Sequence, residues 1–215
     1  MTTILHLSTL YAEEYWAPEG SRQLDLRSLP GTNCYCSPEA EEALRSAIRD
    51  LPQGGIHWID TGDYHYLSKL FMERISEPFV LALYDNHPDD QDDAFGSGLL
   101  SCGNWVKAAR EGLPSLVADY RNTPEIPEDL PVYLSIDLDV LSKRYARTDW
   151  SQGDMALSRL LSDIGRICAG HRMLGADICG GLTVGKGASA EDFRINSRTR
   201  QALQDYLSIQ PLLPG

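Results

Sequence analysis

The chain has 215 residues, of which 42% are hydrophobic and 23% are charged, a composition typical of a water-soluble domain that can bury a full core. Its formal net charge of −12 argues against general binding to nucleic acid, because such binding depends on Lys and Arg side chains that neutralise phosphates. No apolar run reaches the roughly 20 residues of a membrane span, and the N-terminal segment lacks a signal-peptide pattern. We therefore expect one cytoplasmic domain over residues 1–215, with no membrane partner.

Short apolar segments alternate with amphipathic segments along the chain, which is the pattern of parallel strands joined by helices. The predicted strands are Ile4–Leu7, Gly55–Ile59, Phe79–Tyr84, Ser115–Ala118, Val132–Ile136 and Met173–Ile178. The predicted helices are Pro38–Arg49, Tyr66–Arg74, Trp105–Glu111, Met155–Cys168 and Ala190–Tyr206. This order predicts an α/β fold with a mainly parallel sheet, in which ligands bind beyond the carboxyl ends of the strands.

The five cysteines show no paired C-x-x-C spacing of the kind found in structural zinc sites. Cys34 and Cys36 are nearly adjacent, but cysteines at positions i and i+2 rarely have the geometry of a disulfide. We expect reduced thiols, with this pair in a buried apolar patch.

The predicted strand that ends at Tyr84 runs directly into a D-x-H-x-D sequence made of Asp85, His87 and Asp89. In an extended chain, residues at positions i, i+2 and i+4 point to the same side, so the three side chains can converge on one point. The alternative is a hydrated acidic loop, since the stretch Asp85–Gly98 contains five aspartates and two glycines.

Two further strand ends carry residues of the same type. The apolar strand Val132–Ile136 leads into Asp137 and Asp139, whose carboxylates would repel each other unless a cation or hydrogen-bond donors balance them. The strand Gly55–Ile59 leads through Asp63 to His65. Four aspartates and two histidines at three strand ends form an oxygen and imidazole donor set that suits a pair of Mn²⁺ ions better than thiolate-bound zinc.

The order of these motifs, G-D-Y-H, then D-x-H-x-D, then S-x-D-x-D, resembles the signature motifs of the arginase, agmatinase and formiminoglutamase group, the ureohydrolases. The resemblance implies a three-layer αβα, arginase/deacetylase-like fold and two divalent metal ions, with Mn²⁺ preferred. It places one ion on His65, Asp85, Asp89 and Asp137, and the second on Asp85, His87, Asp137 and Asp139. A hydroxide between the ions would be the nucleophile, because two adjacent cations lower the pKa of bound water.

The chain departs from the family pattern at three positions. Tyr64 separates Asp63 from His65, whereas the family reads G-G-D-H. Cys102 stands where the family carries a proton-shuttling histidine, and Asp177 stands near the end of the late strand, where the family has a glutamate that holds the substrate guanidinium. The resemblance gives Cys102 and Asp177 the catalytic roles.

Three functions follow from these observations. The first is a hydrolase that cleaves a C–N bond of a guanidino or amidino compound, with Asp177 paired to a small cationic substrate. The second is an amide hydrolase of the deacetylase type, which would hold a single zinc ion. The third is a catalytically silent metal-binding protein, suggested by Cys102 and Asp177 in place of His and Glu. Relatives assemble into trimers or hexamers, so a homo-oligomer is one outcome that the sequence leaves open.

Overall fold

Seven strands form a parallel sheet at the centre of the computed structural model, which describes residues 1–93, 98–127 and 129–210. A separate antiparallel pair is formed by two short strands, β3 and β6. The central sheet has the order β2-β1-β4-β9-β8-β5-β7, and every pairing within it is parallel. The strands are β1 Thr2–His6, β2 Arg22–Asp25, β3 Tyr35–Cys36, β4 Ile56–Ile59, β5 Phe79–Tyr84, β6 Leu100–Ser101, β7 Leu116–Arg121, β8 Val132–Asp137 and β9 Met173–Cys179.

Helices cover both faces of the central sheet. They are α1 Leu10–Glu14, α2 Pro38–Ile48, α3 Leu67–Met72, α4 Trp105–Gly112, α5 Leu157–Gly170 and α6 Ala190–Ser208. Buried residues of α1, α5 and α6 belong to one hydrophobic cluster, and those of α2, α3 and α4 belong to a second cluster. The predicted three-layer αβα arrangement with a parallel sheet is therefore confirmed.

Strand β5 shows why the central strands read as continuous apolar runs. Its side chains alternate, so that Val80 and Ala82 join the first cluster while Phe79, Leu81 and Leu83 join the second. All of these residues are buried, as expected for a parallel strand that is covered by helices on both faces. A strand of this kind presents polar side chains only where it ends.

The elements that the sequence analysis missed are short or polar. Strand β2 is a mostly exposed edge strand of sequence RQLD, and β3 and β6 have two residues each. Helix α1 has five residues. None of these segments carries a hydrophobic periodicity long enough to identify it. The sheet strands that were predicted are all present, with ends shifted by up to three residues.

Sheet order places β8 between β5 and β9, so the predicted motifs lie side by side. Tyr84 pairs with Ile136, which brings the next residues of β5 and β8, Asp85 and Asp137, to the same edge of the sheet. Residues 85–93 form no helix or strand, as expected for the acidic loop, while residues 94–97 of that prediction lie outside the described residues. No helix in the described part of the chain is long and apolar enough to cross a membrane.

Candidate metal centre

Six side chains from three strand ends gather at the carboxyl edge of the sheet. His65 Nδ1 lies 3.2 Å from Asp85 Oδ2 and 3.3 Å from Asp89 Oδ2. His87 Nδ1 lies 2.7 Å from Asp139 Oδ2 and 3.7 Å from Asp85 Oδ1. Two groups of metal-ligand atoms result, each with its atoms within 4.8 Å of one another, and they share Asp85. The groups are His65, Asp85 and Asp89, and Asp85, His87 and Asp139.

Asp137 contacts one residue of each group. Its Oδ2 is 3.8 Å from His65 Nδ1, and its Oδ1 accepts a hydrogen bond of 2.8 Å from the backbone N–H of Asp139. Gly180 lies directly against this carboxylate, since a Cβ added at Gly180 would come within 2.6 Å of Asp137 Oδ1. Gly180 also has a φ of 98°, which L side chains rarely adopt. The position of Asp137 therefore depends on the absence of a side chain at residue 180.

The loop after β5 is held by contacts that orient its acidic side chains. The backbone N–H of Asp85 donates to Asn122 Oδ1, and Asn122 Nδ2 donates back to the Asp85 carbonyl at 2.7 Å. Trp105 Nε1 donates to Asp89 Oδ2 at 2.6 Å. Asp89 and Asn122 both have positive φ angles, of 47° and 54°. Such backbone strain persists only where surrounding contacts support it, and it is common at functional sites.

The site fits a cation by its unpaired atoms as well as by its donor types. His65 Nδ1 and Asp85 Oδ2 are buried and make no hydrogen bond, although buried polar groups normally do. Burial, together with the charges of Asp139 and Asp85, raises the pKa of Asp137 well above its usual range. Burial likewise raises the pKa of Asp139. A divalent ion would balance carboxylates that repel one another and would bind the buried atoms that lack partners.

We expect His87 and Asp89 to stabilise the metal-free protein less as the pH rises. The hydrogen bond to Asp139 raises the pKa of His87 from 6.5 to about 9, and burial raises that of Asp89 from 3.8 to about 6. The stability contributed by His87 is complete below pH 6.5 and is lost as the pH rises through 9. The stability contributed by Asp89 is complete below pH 3.8 and is lost as the pH rises through 6. Because the His87 ring is partly exposed, its effect is about 1 kcal/mol.

Urea unfolding of chelator-treated protein at about pH 6 and about pH 9 measures this difference. The variant His87→Gln is the matched control, since it removes the ring that titrates in the upper range. A His87→Gln variant that loses as much stability as the wild type between the two pH values would contradict the contribution assigned to His87.

Five of the six candidate ligands, all except His65, line a pocket of about 230 Å³. Its walls include Cys34, Cys102 and Trp150. Cys34 and Cys102 lie opposite each other, because they directly adjoin the paired residues Tyr35 and Ser101 of β3 and β6. The Cys102 backbone N–H donates to the Cys34 carbonyl at 2.9 Å, and Cys34 Sγ donates to Asp63 Oδ1 at 3.2 Å. The five cysteines, which all lie in the described ranges, are free thiols, as expected.

No family model matches the chain. An uncharacterised protein of Thermotoga maritima is 31% identical in an alignment of 162 residues that covers 66% of this chain and 62% of that protein, so the match spans less than two thirds of the relative. Among solved structures, the arginase of Bacillus caldovelox is 12% identical with a TM-score of 0.63, over 94% of this chain and 97% of that one. The chain has the arginase fold.

Two other solved structures with the arginase fold are also similar. The proclavaminate amidino hydrolase of Streptomyces clavuligerus has a TM-score of 0.63 at 14% identity, over 87% of this chain and 76% of that one. A triple mutant of the T. brucei arginase-like protein bound with Mn²⁺ has a TM-score of 0.51 at 18% identity, over 95% of this chain and 80% of that one.

Within this arginase fold, Asp177 does not occupy the position expected for a residue that contacts the substrate. Strand β9 continues to Cys179, so Asp177 lies inside the strand, fully buried, and does not line the pocket. Asp177 is two residues before the end of β9, which is about 6.6 Å along the strand. Its carboxyl therefore lies below the edge of the sheet. The end of the strand offers Cys179 and Gly180 instead, and neither supplies a carboxylate for a guanidinium group.

Cys102, which the resemblance matches by sequence position to the family's proton-shuttling histidine, lies in the pocket wall. The contact with the Cys34 thiol and burial raise its pKa far above the usual thiol range. Cys102 therefore stays a neutral thiol near pH 7 and does not accept protons as an imidazole would.

The structure adds residues to the site that the sequence analysis did not single out. Ser135, Ser151, Trp105, Trp150 and Cys179 all contact one of the six candidate ligands. Only Ser135 had a sequence signal, as the serine of S-x-D-x-D. Cys179 Sγ donates to Asp137 Oδ2 at 3.2 Å and forms a third group of close ligand atoms with His65 and Asp137.

Proposed function

We propose that this protein is a metal-dependent hydrolase that cleaves a C–N bond of a guanidino or amidino compound, and that it binds two divalent ions, preferably Mn²⁺. The observation that carries the proposal is the pair of ligand groups that share Asp85 at one pocket. One ion would bind His65, Asp85, Asp89 and Asp137, and the other would bind Asp85, His87, Asp137 and Asp139. The Mn²⁺-bound arginase-like protein and the amidino hydrolase with the same fold support this choice.

Bound metal ions would supply Lewis-acid polarisation of the substrate and activation of water for attack on a trigonal carbon. Other residues of the chain hold the candidate metal ligands in their orientations. Trp105 fixes the Asp89 carboxylate by donating to Oδ2, and His87 Nε2 lies 2.7 Å from Ser151 Oγ, so the orientation of the His87 ring is also fixed. Such supporting hydrogen bonds set the geometry and basicity of metal ligands.

The substrate in this proposal is small and cationic at its reacting end. The pocket volume of about 230 Å³ limits the size of the bound group. The net charge of −12 favours the approach of a cation, because the summed field of the protein concentrates ions of opposite sign. Because Asp177 is buried, β9 supplies no carboxylate to the described pocket lining. The candidate metal centre and the pocket walls would therefore bind the cationic end of the substrate.

The test is a screen of protein reconstituted with Mn²⁺ against guanidino, amidino and acylated amine compounds, with urea, ammonia and free amine as the measured products. The expected result is release of urea or a related amidino product, lost in His87→Ala under conditions where that variant stays folded. Turnover of acylated amines with one retained zinc ion would favour amide hydrolysis instead. Absence of turnover with every compound, although two ions bind, would leave a metal-binding protein without this activity.

A further inference from the structure

A chain of buried hydrogen bonds links one candidate metal ligand to Asp177. His65 Nε2 lies 2.9 Å from Ser135 Oγ, and Ser135 Oγ donates to Asp177 Oδ1 at 2.7 Å. Ser68 Oγ, on α3, donates to the same carboxyl oxygen at 2.9 Å. His65 is 1% exposed and the other three side chains are 0% exposed, so water does not take the place of any of these contacts.

The two nitrogens of His65 face different partners. Nδ1 faces Asp85 and Asp89, where the ion would lie, and Nε2 faces Ser135. A neutral imidazole that binds a metal through Nδ1 carries its hydrogen on Nε2, and that hydrogen requires an acceptor. Ser135 Oγ accepts the Nε2 hydrogen when its own hydroxyl hydrogen points away from His65. Asp177 accepts that hydroxyl hydrogen.

The pairing of β8 with β9 creates this arrangement. Ser135 is directly opposite Asp177, and Asp137 is directly opposite Cys179. Ser135 and Asp177 therefore lie on the same face of the sheet as Asp137, two residues before the edge that carries the candidate ligands. Keeping a carboxyl at 0% exposure is costly unless its interactions offset the loss of water. A hydrophobic residue would serve packing alone at this position better than an aspartate does.

We propose that Asp177 is a positioning residue, which acts through Ser135 to hold His65 in the tautomer and orientation that bind a divalent ion beside Asp85 and Asp89. The inference rests on the metal centre of the proposed function, although it does not depend on which bond is hydrolysed. It assigns Asp177 to the metal centre and removes it from substrate recognition. The effect of Asp177 on His65 depends on the Ser135 hydroxyl, which links the two side chains.

The experiment measures Mn²⁺ binding by calorimetry in the full-length chain and in Asp177→Asn, Ser135→Ala and Ser68→Ala. We expect the first two variants to weaken one of the two binding events by about 10- to 100-fold and to leave the other nearly unchanged. Ser68→Ala is the comparison variant, because it removes a hydrogen bond to Asp177 and a 3.1 Å contact with Ser135 Oγ but leaves the contacts of Ser135 with His65 and Asp177 in place. Its Mn²⁺ affinities should stay within about threefold of wild type by the same measure.

The variant His65→Gln separates positioning from general structure. In that background, Asp177→Asn should cause no further loss of Mn²⁺ affinity, because the residue through which it acts is gone. Nitrogen-15 NMR of the histidine rings provides a second readout, with the hydrogen of His65 on Nε2 in the wild type loaded with Zn²⁺ and a changed signal in Ser135→Ala.

Two results would overturn the inference while leaving the proposed function intact. The first is equal Mn²⁺ affinity in wild type and Asp177→Asn, with only a lower melting temperature in the variant, which would make Asp177 a purely structural residue. The second is an unchanged His65 ring signal in Ser135→Ala. Failure of the wild type to bind two ions would instead count against the proposed function.

Discussion

Replacing Asp137 by Asn should reduce metal binding at both positions of the centre, whereas Asp139→Asn should mainly weaken one. Asp137 contacts both ligand groups, because it lies close to His65 and accepts a hydrogen bond from the backbone of Asp139, while Asp139 contacts His87. A carboxylate shared by two ions serves both, so its loss affects both affinities. Elemental analysis of protein dialysed against Mn²⁺ measures the stoichiometry, and calorimetry measures each dissociation constant.

Melting temperature gives an independent measure of the same effect. Metal bound at about 100 times its dissociation constant stabilises the native state by about 2.7 kcal/mol per site, so chelator should lower the melting temperature of the wild type and change that of Asp137→Asn little. Asp163→Asn, which alters a buried aspartate in α5, is the control for loss of a buried carboxylate elsewhere. Full occupancy of both positions in Asp137→Asn, or a wild type indifferent to chelator, would contradict the assignment.

Arginine and agmatine should be poor substrates, with kcat/KM below about 10⁴ M⁻¹s⁻¹. Apart from the candidate ligands, none of the described residues that line the pocket carries a charged side chain. The ammonium of agmatine and the two charged groups of arginine therefore lack partners on the described walls, and unpaired charges at a desolvated site are costly. Guanidines with short uncharged substituents should be turned over at least about 100-fold more efficiently, since a misplaced reacting centre costs that much.

Comparison of kcat/KM for arginine, agmatine and methylguanidine tests this order. Asp177→Glu should not improve arginine turnover, because the added methylene would overpack a buried site and would not bring a carboxylate to the pocket. Cys102→His, which places an imidazole in the pocket wall, should raise the rate for substrates whose leaving group needs a proton. Wild-type arginine turnover above about 10⁴ M⁻¹s⁻¹ would show that the protein is an arginase with an unusual pocket wall.

The sequence by itself determined the fold class and which residues gather at the sheet edge. Continuous apolar runs identified the central strands, because strands covered on both faces leave no polar alternation. Carboxylates and histidines that directly follow such runs must lie at the carboxyl edge of a parallel sheet, and Asp85, His87, Asp137 and Asp139 do lie together there. His65 follows its strand at a greater distance, and the short helical turn at Gly62–Tyr64 brings it back to the same edge.

Only the tertiary structure decided what the residues of the last strand do. The sequence predicts that β9 ends at Ile178, and the resemblance to the ureohydrolases gave Asp177 the role of binding a substrate. Pairing with β8 extends β9 to Cys179 and sets Asp177 opposite Ser135, beneath the centre. Strand ends and registers depend on the neighbouring strand, which is distant in sequence, so a local pattern does not predict them. The same reason explains why Cys34 and Cys102, which are 68 residues apart, were not expected to meet in the pocket wall.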